Sequence, residues 1–137
     1  PVTSEAELTE RWRALLQLDG PPARRTLFLT WLRSDGTMVP LLMPFEDVPL
    51  EPDRAALGSL ATAHAAVAES EDVDPGDLHL ALLLERRGPA GLSPDDHAWS
   101  SAIEAVLRDR SGLDCSLHVG DGHTAVAVLP RRRWPVG

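Results

Sequence analysis

The chain has 137 residues, 43% of them hydrophobic, with 21 acidic side chains against 13 basic ones and a formal net charge of −8. That length is one domain's worth, able to bury about two-thirds of its unfolded surface around a single core. The negative balance argues against general nucleic-acid or anionic-membrane binding, which needs a basic face, and the lone Cys115 excludes an intrachain disulfide and a thiolate zinc cluster.

Ser4-Glu5-Ala6-Glu7 matches a capping box, and Leu8, Trp12, Leu15 and Leu16 recur at helical spacing, which predicts an amphipathic helix over 4–18. Gly20-Pro21-Pro22 ends it, because a left-handed glycine and two prolines cannot continue the ladder. Thr26 to Leu32 is rich in β-formers on both faces, so it reads as a covered strand. Ser34-Asp35-Gly36 is a hairpin turn, with Thr37 to Met43 as the return strand; Pro40 places that strand at an edge.

A proline-rich acidic connection over 44–53 leads to a helix capped by Asp53, whose apolar stripe runs through Leu57, Leu60, His64 and Ala68 to about Glu69. The chain is organised around the next stretch. Leu78, Leu80, Ala81, Leu82, Leu83 and Leu84 predict a central strand covered on both faces. Gly88 to Leu92 then breaks the chain, and Ser93-Pro94-Asp95-Asp96 opens a helix over roughly 94–110 with an N-cap, a first-turn proline and two carboxylates at its positive end. Leu113 to Val119 and His123 to Leu129 follow as two strands joined at Gly120-Asp121-Gly122. The predicted order, ββαβαββ after an extra N-terminal helix, is a mixed-sheet α/β sandwich. Its parts are helix and linker over 1–22, one domain over 23–130 and a basic tail over 131–137.

This order is similar to a JAB/MPN- or cytidine-deaminase-like sandwich, and its motifs resemble those of the JAB/MPN superfamily. Leu92-Ser93-Pro94-Asp95-Asp96 resembles the Pro-Ser-x-x-Asp helix start of the bacterial RadC-like branch. Asp114, followed by Leu117-His118-Val119-Gly120-Asp121-Gly122, resembles its closing hairpin. In that family two histidines and the aspartate bind zinc, and a glutamate from an early strand orients water. The resemblance places the histidine positions on Leu83 and Glu85 and the glutamate near Arg24 and Arg25, so that Asp96 alone is kept of that set. It therefore implies the scaffold without the peptidase chemistry, and no cofactor or metal is expected.

Glu85, Asp96 and His97 still converge on the strand-to-helix junction, with His79 or His118 on neighbouring strands, and a re-sited hydrolase centre can be drawn there. The plainer reading has Glu85 beside Arg86 and Arg87 as a solvated strand end, Asp95 and Asp96 as helix-dipole partners and His97 on the surface. Cys115 and His118, three apart on a strand, point to opposite faces and form no nucleophile pair. His64 reads as a packed core histidine, and Trp31 and Trp99 as core. Candidate interaction residues are Arg86, Arg87, Trp12 and the cluster Arg131, Arg132, Arg133 and Trp134, with the proline-rich 44–52 segment as further partner-facing surface. The expected role is a non-catalytic interaction or regulatory module, engaging an unknown protein partner or itself, in the cytoplasm of a GC-rich bacterium. An all-arginine basic set, with neither a spanning segment nor a secretory leader, points to that setting.

Overall fold

The computed structural model describes residues 1–19, 24–88, 91–122 and 124–134. The Gly20-Pro21-Pro22 connection, the Pro89-Ala90 centre of the junction turn, His123 and the side chain of Leu16 lie outside the described residues. Helix α1 spans Glu5–Asp19, strand β1 Thr26–Leu32, strand β2 Met43–Glu46, helix α2 Arg54–Glu71, strand β3 His79–Glu85, helix α3 Pro94–Ile103, strand β4 Cys115–Gly120 and strand β5 Ala125–Leu129. They build a mixed α+β fold on one five-stranded sheet of order β2-β1-β3-β4-β5. β3 is antiparallel to β1 and parallel to β4, and antiparallel hairpin partners β2 and β5 close the two edges.

All seven residues of β3 are buried, because the central strand is covered on both sides. Leu80, Leu82 and Leu84 point into a large apolar core with Leu27, Leu29 and Trp31 of β1, Leu117 and Val119 of β4, and the inner stripes of α2 and α3. Ala81 and Leu83 point the other way, into a smaller core closed by Val2, Leu8 and Trp12 at the N-terminus. The period of two along β3 thus divides the molecule into a two-helix face and an α1 face. Cys115 lies on the first and His118 lies on the second, as the strand spacing requires.

The helix signals act as expected. The Asp53 carboxylate accepts from Ala55 N and Ala56 N, and Ser93 and Asp96 form a reciprocal capping box. Beyond Ile103 the third helix widens into a π-helix over Glu104–Arg110. This turns Arg108 inward, where it donates to the carbonyls of Cys115 and Pro130.

The return strand is displaced from its predicted place. The hairpin turn forms, with Gly36 at φ +85 and its carbonyl accepting from Val2 N at 2.7 Å; a Cβ there would meet Val2 O at 2.5 Å. Pairing then lasts only to Val39 N bonding Trp31 O. Pro40 has no N–H to continue it, the chain turns back with Leu41 N on Val39 O, and the ladder resumes with two extra residues, Met43 opposite Leu29.

Candidate functional site

The junction of β3 and α3 is built around a guanidinium. Arg86 follows the last residue of β3, and its side chain folds back over the turn to reach Asp96 in the first turn of α3. Nη2 lies 2.6 Å from Asp96 Oδ2, Nε lies 3.2 Å from Oδ1, and Nη2 also donates to Gly91 O at 2.7 Å. Asp96 accepts a further bond from Ser93 N at 2.8 Å. Burial alone would push the Asp96 carboxyl up, but Arg86 and the Ser93 donors outweigh it and hold it below the ordinary range; the same pair raises Arg86.

Arg25, at the entry to β1, borders this cluster. Burial lowers it, against the pull of the Asp96 and Asp95 carboxylates. Asp96 is fully buried with both oxygens engaged, so it cannot serve as a metal ligand or general base without losing Arg86. Leu83 is fully buried, and His97 is exposed in the first turn of α3. Glu85 and Arg86, expected as a solvated strand end, are buried instead, with the Arg86 guanidinium held on Asp96 and Gly91 O at the helix start. Among the described residues no group of three or more His, Cys, Asp and Glu side chains is placed to hold a metal ion.

A second polar cluster occupies the α1 face. His79 and Ser116 stand on adjacent strands, with His79 Nε2 2.9 Å from Ser116 Oγ and Nδ1 3.1 Å from Asp114 Oδ2. Arg131 grips the same carboxylate, from Nη2 at 2.8 Å and Nε at 2.9 Å, and lies 4.9 Å from the Trp134 ring. Glu5 of α1 accepts from Arg131 N and Trp134 Nε1, and Thr9 Oγ1 meets His118 Nε2 at 2.8 Å.

The distances mimic a nucleophile–base–acid relay, but the chemistry does not follow. Ser116 and His79 are fully buried, so no substrate carbonyl could reach the hydroxyl. The cluster is a cross-tie that joins β3, β4, α1 and the tail. Burial lowers both imidazoles, His118 to about 4, so each is neutral at pH 7. Burial raises Cys115 to about 11, an inert thiol.

The candidate interaction residues are distributed unevenly. Trp12 is buried beneath α1, as its place on the apolar stripe requires, and forms one wall of a groove of about 510 Å³ between α1 and the 38–42 segment, so it is not the free interaction surface expected of it. Arg131 and Trp134 are docked on the body by Asp114 and Glu5, while Arg132 and Arg133 are exposed beside a pocket of about 440 Å³. Arg87 is exposed at the junction. The cross-tie and the buried Arg86 escaped the sequence reading; the only advance signal was a polar residue at alternate positions of β4, Ser116 and His118.

Among the described residues no helix is long and apolar enough to cross a membrane. No protein-family model, curated protein or solved structure matches the chain.

Proposed function

We propose that the chain is a non-catalytic JAB/RadC-like domain that acts in the cytoplasm as a protein-interaction or regulatory module. One observation carries the reading: Asp96, the single residue kept from the family's metal-binding set, is consumed by a buried ion pair with Arg86. A guanidinium supplies at that junction the positive charge that a metal would supply elsewhere, and it offers no open coordination position for water. The apolar Leu83 at one expected ligand position and the antiparallel start of a 2-1-3-4-5 sheet support the same frame.

Metal analysis of chain expressed in zinc-supplemented medium tests this directly. Far less than one zinc per chain is expected, and a stoichiometric metal that Asp96→Ala removes would overturn the reading.

A further inference from the structure

Large apolar side chains are not scattered evenly over the surface. Among the described residues seven are exposed, and four of these lie in ten consecutive positions: Leu41 (39%), Leu42 (42%), Phe45 (40%) and Leu50 (60%). Leu50 is the most exposed, yet its loop is not loose. Val48 N bonds Arg25 O, Arg25 Nε bonds Pro49 O, and the buried Trp99 donates Nε1 to Pro49 O at 3.1 Å and Leu50 O at 3.0 Å. A pinned backbone that points leucine outward has already met the ordering cost of a contact. Beside it lies a cleft of about 120 Å³, sized for one aliphatic side chain and lined by Phe45, Val48, Leu57, Leu60 and Trp99 among others.

The charge around this patch selects its occupant. Residues 41–53 carry Glu46, Asp47, Glu51 and Asp53 and no cationic side chain. Arg24 offsets Glu46 and Asp47, at 3.4 and 2.8 Å, and Arg25 is engaged on Pro49 O, which leaves Glu51 and Asp53 to face a partner. A second copy would bring the same carboxylates and another net charge of −8 against them, and nucleic acid or an anionic bilayer would be repelled in the same way. Strand addition is discouraged as well, because Pro44 interrupts the β2 edge.

We infer that the end of the β2 edge and its following loop, Phe45 to Asp53, form a docking surface for a basic protein segment that carries an aliphatic anchor flanked by arginine or lysine. The anchor enters the cleft against Phe45 and Trp99, beside Leu50, and the flanking cations face the exposed Glu51 and Asp53 at its rim. This deepens the interaction-module reading and rests on it. The two are separable in experiment, since bound zinc would overturn that reading and leave peptide affinity untouched.

The test is fluorescence anisotropy on the full chain with three short labelled peptides, alternating arginine with leucine, arginine with serine, and glutamate with leucine. The arginine–leucine peptide is expected to bind at least about tenfold more tightly than either control. Leu50→Ser should weaken it about tenfold, and Glu51→Gln several-fold with a shallower salt dependence, at unchanged melting temperature. Glu69→Gln on α2 should change nothing. Failure of all three peptides to bind, equal binding by them, or indifference to both surface variants overturns the proposal. So does a dimer, seen by sedimentation, that Leu50→Ser dissolves.

Discussion

The two faces of the sheet bury their side chains by different means. The face under α2 and α3 is a continuous apolar core with His64 set into it, held by Trp31 Nε1 at 3.3 Å and Pro75 O at 2.9 Å, and Arg108 at its margin on Cys115 O. The face under α1 mixes Leu8, Trp12 and Leu83 with His79, Ser116, His118 and the carboxylate of Glu5. Buried atoms on that side also go without a hydrogen-bond partner, among them Trp12 Nε1, Glu5 Oε1 and His118 Nδ1. An apolar face gains stability from every contact, whereas a partly satisfied polar face gains register and gives some stability back. The two-helix face should therefore dominate the stability of the fold, and the α1 face should decide where the helix and tail sit.

Two neighbours on β3 give the sharpest comparison. Leu82 and Leu83 are both fully buried and face opposite sides. Leu82→Ala should cost about 4 kcal/mol in urea denaturation, because two packed helices cannot collapse onto the cavity. Leu83→Ala should cost about 2 kcal/mol, since a single helix held by a polar seam can settle. Equal losses would erase the distinction between the faces.

Acid should act on the α1 face next. His118 is held neutral at about 4 against 6.5 for a free imidazole, so as pH falls the unfolded chain takes up that proton first. Stability from this group is complete above pH 6.5, declines as pH falls, and is spent near pH 4, a loss of about 3 kcal/mol. His79 and His64 are lowered in the same direction and steepen the decline. Urea midpoints measured across that window should fall for the native chain and fall less for His118→Leu.

The sequence disclosed most of what depends on neighbours along the chain. The leucine run of β3, the Asp53 cap and the Ser93–Asp96 box were each legible, because local periodicity and capping chemistry are written in consecutive residues. What depends on distant partners was not. The return strand slipped because Pro40 ended pairing, and the two extra residues are visible only against β1. Arg86 is an ordinary surface arginine by composition, and only the turn that returns Asp96 to it explains its burial. The cross-tie needed His79 from one strand, Ser116 from another, Glu5 from the first helix and Arg131 from the tail. Nothing in any one stretch announced it.

The smallest expected effect concerns the contact that pins α1 to the sheet. Thr9→Val keeps the shape of the side chain and removes the hydroxyl that meets His118 Nε2 at 2.8 Å. The imidazole would then be buried with both nitrogens short of partners, since Nδ1 already has none, and the cost should be about 1 to 2 kcal/mol. His118→Leu alone leaves the Thr9 hydroxyl donating to Glu5 O at 3.0 Å and should cost less. The double variant replaces both partners by apolar groups of comparable size, so it should recover much of the loss, giving a coupling of about 1 kcal/mol in a denaturation cycle. If the two single costs simply added, the hydroxyl and the ring would not be partners, and the α1 face would be an apolar interface like its opposite.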